Sequence, residues 1–119
     1  NPHNHSLIAL GFYSGVVGIM DVSSGFFRTT SNHASPVVAV AFVDDFVISL
    51  SQNGLLMYNE KAFDFAARVF AMDILEDYLI AVSAQKLIVV QISLWKVIRE
   101  WRSERDIVAA RISVAAQPH

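Results

Sequence analysis

Apolar residues fall in short runs along this chain, and polar turns separate the runs. Residues 46–51 and 55–59 are two such runs, with Asn53-Gly54 between them. Asn and Gly accept the positive φ angles of a tight hairpin turn, so this stretch predicts a pair of antiparallel strands. Tyr13-Ser14-Gly15 and Ser23-Ser24-Gly25 separate the runs of the N-terminal part in the same way. The pattern predicts an all-β chain.

The clearest regularity is an internal repeat. Residues 36–59 align without a gap on residues 68–91. The positions that are identical in the two copies are Val37, Ala39, Asp45, Ile48, Ser51 and Leu55, matched by Val69, Ala71, Asp77, Ile80, Ser83 and Leu87. At a shift of 39 residues, Leu7-Ile8-Ala9 also falls on Phe46-Val47-Ile48. Self-similarity at a period of about 30–45 residues is typical of repeat architectures.

The repeat divides the chain into consecutive antiparallel meanders. The predicted units are residues 6–31, 36–67 and 68–102, followed by residues 106–115 as the first strand of a further unit. Counting strands gives three in the first unit, four in each of the next two and one at the end. We therefore expect about three four-stranded meanders.

Two segments also permit a helix. Phe63, Ala66, Ala67, Phe70 and Ile74 have helical spacing within residues 60–74, and residues 96–112 can be wound as a helix as well. Both segments contain parts that match the strand at residues 37–42. Because the repeat alignment places strands there, we favour the strand interpretation.

The composition is more apolar than that of most free-standing soluble domains: 54% of the 119 residues are hydrophobic and 17% are charged. Two explanations are open: most strands are buried on both faces, or part of the apolar surface meets something outside this chain. The longest uninterrupted apolar run, Val37 to Val43, is far shorter than the roughly 20 residues that span a bilayer. We expect no transmembrane segment.

Charge and cysteine content exclude several kinds of site. A net charge of -2 without clustered Lys and Arg argues against nucleic acid and against an anionic membrane surface. The absence of Cys excludes disulfides and thiolate metal sites. No basic segment followed by an apolar one opens the sequence, as in a secretory signal. We therefore expect a soluble, cytoplasmic protein.

The turns and third strands resemble those of the WD40 β-propeller family. In that family the third strand of a blade opens with Asp-Gly, alternates apolar residues and ends in Trp-Asp. Ser14-Gly15 through Met20-Asp21 has the same length and alternation, and Asn53-Gly54 through Asn59-Glu60 is a second version. Asn32-His33 resembles the Gly-His pair that precedes the inner strand of a blade.

The resemblance implies a set of structural residues. His33, Ser49 and Asn53 correspond to part of the family's hydrogen-bond set, and Ser14, Gly15, Asp21 and Gly54 to its turn positions. The Trp-Asp dipeptide itself is missing from every unit. A propeller closes with at least about four blades. The resemblance therefore implies a propeller segment, completed by the remainder of the ring or by another chain, with edge strands that could self-associate.

Few residues suggest catalysis. The recurring pairs Asp44-Asp45 and Glu76-Asp77 occupy equivalent hairpin tips, where acidic residues cap turns rather than converge on one cleft. His3 and His5 alternate as strand ligands would, but no third metal ligand lies near them. No serine lies in a Gly-x-Ser-x-Gly elbow and no Gly-rich phosphate loop is present. We expect no enzyme activity, cofactor or metal.

Candidate partner contacts lie in two places. Trp95, Trp101, Arg99 and Arg102 form an aromatic and basic cluster of a composition enriched in protein-binding hot spots. The alternative is that both Trp side chains pack at the rim of their unit. Phe26, Phe27, Phe63 and Phe65 lie on predicted outer strands, and any of them that is exposed would suggest a partner surface.

These features favour a non-catalytic protein–protein interaction scaffold. The resemblance implies a subunit of an intracellular assembly, with membrane trafficking among the settings and peripheral membrane association through that assembly. The alternative is a small β-barrel that binds an apolar ligand in its lumen, since the length and the alternating strands suit one. The repeat favours the scaffold, because a barrel needs no offset of 32 residues that maps turn onto turn.

Overall fold

The computed structural model of the chain describes residues 6–107 and Ala110. Within these residues it contains strands and turns and no helix. The strands are β1 Leu7–Gly11, β2 Val16–Asp21, β3 Phe27–Asn32, β4 Val37–Val43, β5 Phe46–Ser51, β6 Leu55–Tyr58, β7 Lys61–Asp64, β8 Ala71–Leu75, β9 Tyr78–Val82, β10 Lys86–Gln91 and β11 Lys96–Arg102. The prediction of an all-β chain is confirmed.

The strands form three antiparallel sheets in which spatial order follows chain order. Sheet 1 contains β1–β3, sheet 2 contains β4–β7 and sheet 3 contains β8–β11. The helical alternative is wrong for the described residues, because β7, β8 and β11 occupy those segments. The predicted strand at 106–115 lies largely outside the described residues, and its described members are not in a strand. A small barrel needs one continuous sheet, so three separate sheets do not fit that alternative.

The chain divides into two compact units, the first ending at Arg68 and the second starting at Val69. In the first unit, sheet 1 packs against sheet 2. A Cβ atom added to Gly11 of β1 would collide with the Val37 side chain and contact Val40 at 3.1 Å. Only glycine at position 11 leaves room for β4 to lie this close. Val17, Ile19, Ile48, Leu50 and Leu56 form the buried core of this unit.

Sheet 3 is the body of the second unit. In β10 the buried residues, Ile88 and Val90, alternate. β9 is instead buried along most of its length, since Leu79, Ile80, Ala81 and Val82 are all buried. Such burial accounts for part of the high apolar content, because a strand covered on both faces reads as a continuous hydrophobic run.

Two-residue turns close the first hairpins of sheets 2 and 3. Val43 pairs with Phe46 around Asp44-Asp45, and Leu75 pairs with Tyr78 around Glu76-Asp77. The first turn residue has a positive φ in both cases, 55° at Asp44 and 55° at Glu76. The carboxylate pairs therefore recur because the same turn recurs.

Candidate interaction surfaces

The loop between sheets 1 and 2 contains a buried histidine. His33 is 3% exposed, and its backbone N–H donates to the carbonyl of Gly15 at 2.7 Å. Its ring nitrogen Nε2 is hydrogen-bonded to Ser49 Oγ at 2.8 Å. Among the described residues, Nδ1 of the same ring has no hydrogen-bond partner. Burial lowers the pKa of His33 below its ordinary value of 6.5, because the charged ring would lose its water.

Asn53 belongs to the adjoining turn and bonds elsewhere. Its side-chain oxygen accepts a hydrogen bond from Ser51 Oγ at 2.5 Å, and its backbone N–H donates to Ser35 Oγ at 3.2 Å. The structure therefore brings His33 and Ser49 into contact and ties Asn53 to two neighbouring serines. This arrangement holds the loop before β4 against the turn before β6, as a structural set does.

Gly15 and Gly54 occupy equivalent turns of sheets 1 and 2. Their φ angles are +97° and +93°, a region that L side chains rarely adopt. A Cβ atom at Gly15 would collide with the carbonyl of His33, and one at Gly54 with the carbonyl of Ala67. Glycine is therefore required by the turn and by the backbone that crosses it, which explains why this feature was visible in the sequence.

The other turn residues cap the backbone around them. Asp21 Oδ1 accepts hydrogen bonds from the backbone N–H of Ser23 at 2.9 Å and from its hydroxyl at 2.8 Å. Ser14 is exposed in the turn before β2. In sheet 3, Asp77 accepts bonds from Ser93 and Gln91, and the Ser93 hydroxyl is the main cause that lowers the pKa of its carboxyl. Asp21 and Asp77 thus have structural hydrogen-bond partners.

The aromatic and basic cluster lies along β11, the last strand of sheet 3. Trp101 pairs with Leu87 and is 57% exposed, while Arg99 pairs with Val89. Because side chains alternate along a strand, Arg99 and Trp101 share one face and Arg102 lies on the other. Trp95 is half-buried in the preceding turn with a φ of 52°. The structure therefore brings two of the four residues onto one surface.

The four phenylalanines of the outer strands have different environments. Phe26, which directly precedes β3, is 67% exposed, and Phe27, the first residue of β3, is 39% exposed. Phe65 is buried, and its ring meets that of Phe63 edge to face at 5.0 Å between centroids. Exposed aromatic surface is therefore confined, within this set, to sheet 1.

Phe27 belongs to a larger apolar surface. Gly11 contacts β4, so side chains at alternate positions of β1 point away from sheet 2. Met20 pairs with both Ile8 and Phe27, and the rings of Phe12 and Phe27 meet edge to face at 5.9 Å. We call this the open face of sheet 1; its members are Ile8, Leu10, Phe12, Val16, Met20 and Phe27, none of which is buried.

The repeat identifies the face of sheet 2 that is equivalent to the open face of sheet 1. Ile8, Leu10 and Phe12 correspond to Val47, Ser49 and Ser51 of sheet 2. Ser49 and Ser51 are buried, and Val40, which pairs with Ser49, lies against Gly11 of sheet 1. Within the described residues of the first unit, the corresponding face of sheet 1 has no sheet against it. Sequence reasoning missed this surface, although the alternation of Ile8, Leu10 and Phe12 signals it.

The edge of β1 is open as well. Ser6 accepts a hydrogen bond from Val22, and Phe12 donates one to Val16. Because antiparallel pairs alternate, the N–H and C=O groups of Leu7, Ala9 and Gly11 point away from β2. In sheets 2 and 3 the equivalent strands, β5 and β9, each pair with a preceding strand on that side. Sheet 1 therefore has an unfilled strand position beside β1 within the part that the structure describes.

A pocket of about 320 Å³ lies on the opposite side of sheet 1, between β3 and sheet 2. Arg28, Thr30 and Ser31 form one wall, and Asp45 and Tyr58 are part of the other. The Tyr58 hydroxyl donates to the carbonyl of Val43 at 3.2 Å. Burial first, and then the charges of Asp44 and Asp45, raise the pKa of this hydroxyl.

Neither a cluster of metal ligands nor a membrane-spanning helix is present among the described residues. No group of three or more His, Asp or Glu side chains there could hold a metal ion. His3 and His5 lie outside the described residues. The same part of the chain contains no helix of membrane-spanning length and hydrophobicity.

Comparisons with known proteins bear on the fold. No protein-family model matches the sequence, and no curated protein matches it. The computationally designed Ika8 protein is similar in structure, with a TM-score of 0.75 and 16% identity over 95% of this chain and 38% of that one. The designed Ika4 protein has a TM-score of 0.74 and 16% identity over 95% of this chain and 76% of that one. At this identity the likeness concerns the fold alone.

Proposed function

We propose that the chain is a segment of a WD40-like β-propeller and serves as a non-catalytic scaffold for protein–protein interaction. The observation that carries this proposal is the open face of sheet 1. In the first unit, the repeat-equivalent face of sheet 2 is covered by a neighbouring sheet, so the same type of surface on sheet 1 is suited to another sheet.

In this proposal each sheet is one blade. Sheet 1 supplies the second, third and outer strands of its blade, because β1 corresponds to β5 in the repeat. The inner strand would pair with the open edge of β1 at Leu7, Ala9 and Gly11. The remainder of the propeller, or another subunit of an intracellular assembly, would supply that strand and the blade that covers the open face.

The scaffold acts by rigid display. Strand ladders fix loops and outer strands in space, and a few exposed aromatic or Arg side chains provide affinity for protein partners. Arg99 and Trp101, which share one face of β11, are candidates for such contacts, with Arg102 and Trp95 nearby in the chain. A cytoplasmic location and a role in an assembly such as those of membrane trafficking follow from the family resemblance.

The test is the mass of the purified 119-residue chain by light scattering across a dilution series. An exposed apolar face and an open strand edge favour association, so we expect dimers or larger species. Ile8→Lys would introduce a charge on the open face and shift the chain toward monomer. The matched control is Leu94→Lys, an equally polar change at an exposed residue in the turn before β11.

Two results would overturn the proposal. A folded wild-type chain that stays monomeric at every concentration would show that the open face needs no neighbour. Association that Leu94→Lys weakens as much as Ile8→Lys would assign the contact to a surface other than the open face.

A further inference from the structure

The outer edge of β3 is exposed, and from Phe27 to Thr29 the strand pairs regularly with β2, before a bulge between Thr29 and Ser31. β3 has six residues, pairs with β2 and is exposed at every residue but one. The N–H of Asp21 donates to the carbonyl of Phe26 at 2.9 Å. Backbone N–H and C=O groups alternate in direction along a strand, so those of Phe27 and Thr29 point away from β2. A further strand could form hydrogen bonds with them there.

The last strands of the other two sheets are better protected against strand addition. β11 has four charged residues among its seven: Lys96, Arg99, Glu100 and Arg102. β7 has only four residues, and Lys61 and Asp64 are charged. Proteins protect edge strands by charge and by shortness. β3 has one charged residue, Arg28, so its edge has neither protection.

Arg28 points into the pocket beside β3. It pairs with Ile19 on the face of sheet 1 that is turned toward sheet 2, whereas Phe27 lies on the open face. No described acidic residue forms an ion pair with Arg28, and Asp45 lies on the opposite wall of the pocket. A side chain entering beside β3 would therefore meet a guanidinium group that forms no ion pair with a described acidic residue.

We propose that β3 binds an extended peptide from a partner protein as an added strand, with an acidic side chain directed at Arg28. The backbone of the peptide pairs with Phe27 and Thr29. Because side chains alternate, the residues on either side of the acidic one lie next to Phe27 and the open face and are apolar. The backbone pairing of this site is separate from the strand position beside β1, which lies at the other edge of sheet 1.

Side-chain recognition is tested with two fluorescent peptides that differ at one position. The probe has the core Val-Glu-Val flanked by Thr and Ser, and the control has Lys in place of Glu. Exposed ion pairs are weak, so by anisotropy we expect the Glu peptide to bind about three- to five-fold tighter. Arg28→Glu should reverse this preference, and Arg99→Glu on β11 should not change it.

Backbone recognition is tested at Thr29. Thr29→Pro removes an N–H that the sheet itself does not use, and edge strands tolerate Pro at such positions. We expect it to weaken the peptide about ten-fold through the loss of that bond, while Thr29→Val, which keeps the N–H, binds normally. Should the Pro variant not fold, slower hydrogen exchange of the Phe27 and Thr29 amides on addition of the peptide tests the same pairing.

The proposal fails if the Lys peptide binds as tightly as the Glu peptide, or if a folded Thr29→Pro variant binds both normally. It also fails if neither peptide binds while Thr29→Pro abolishes self-association, since the occupant of the edge is then a second copy. If Ile8→Lys is monomeric by light scattering but still binds the Glu peptide, the site at β3 is separate from the scaffold contact on the open face.

Discussion

Sheets 2 and 3 contain the two copies of the repeat, and the copies differ in the residues at one buried position. In sheet 2, Ser49 of the second strand bonds to the buried His33 of the preceding loop. At the offset of 32 residues these positions are occupied by Ala81 and Phe65, which are also buried. A hydrogen-bonded polar pair in one copy thus corresponds to two buried apolar residues in the other.

The comparison shows that this hydrogen bond is not what specifies the meander. Both sheets have the same strand order and the same two-residue first turn, and both keep an identical buried isoleucine, Ile48 and Ile80. Replacing both partners of a buried hydrogen bond by apolar groups is often nearly neutral, whereas removing one partner is costly. The alternation of apolar residues and the turn geometry are what the copies share.

The largest effect is expected at the shared isoleucines. Ile48→Ala and Ile80→Ala should each reduce the free energy of unfolding by about 2–5 kcal/mol, because truncation leaves a cavity in a core strand. Urea denaturation of both variants measures the two costs. The comparison would be broken if one substitution were tolerated and the other unfolded its sheet, since the copies would then have unequal cores.

A smaller effect is expected at the polar pair. Ser49→Ala removes the partner of Nε2, and Nδ1 already lacks one, so the variant should lose about 1–3 kcal/mol. The double variant His33→Phe, Ser49→Ala reproduces the residue types of sheet 3 and should lose less than the sum of its two single changes. A double-mutant cycle by urea denaturation measures the coupling. Strict additivity would show that the bond contributes nothing.

Much of this contrast could be predicted from sequence. The gapless alignment located sheets 2 and 3, because turns separate the apolar runs at the same spacing in both copies. His33 and Ser49 were paired by the family resemblance, and the structure brings them together. The different bonding of Asn53 could not be predicted, since only the folded loop brings Ser51 to its side-chain oxygen and Ser35 to its backbone N–H.

The surfaces were harder to predict than the sheets. The outer-strand phenylalanines read alike in sequence, but burial depends on what packs against each strand: Phe65 is buried and Phe26 is exposed. Burial of this kind depends on tertiary neighbours rather than on local pattern. Arg99 and Arg102 also read as one cluster, and their separation onto opposite faces follows once the segment is known to be a strand, because side chains alternate along it.

The polar pair should also make sheet 2 sensitive to acid. Burial lowers the pKa of His33 below 6.5 in the folded chain. Below that pH the unfolded chain binds more protons than the folded one, so stability is complete above about pH 6.5 and falls as the pH decreases. Denaturation midpoints between pH 7.5 and 5 measure the loss. The double variant His33→Phe, Ser49→Ala should show a shallower decline, and an unchanged slope would assign the acid sensitivity to other groups.

The smallest effect sharpens the comparison at the shared turns. Asp44 and Glu76 both have a φ of 55°, but Asp adopts positive φ more readily than Glu does. Glu76→Gly should therefore raise the free energy of unfolding by about 0.5–1 kcal/mol, even though Gly also makes the unfolded chain more flexible. Asp44→Gly should change it by less. Thermal denaturation resolves such differences, and a larger gain for Asp44→Gly would mean that contacts of the side chains, rather than backbone strain, distinguish the two turns.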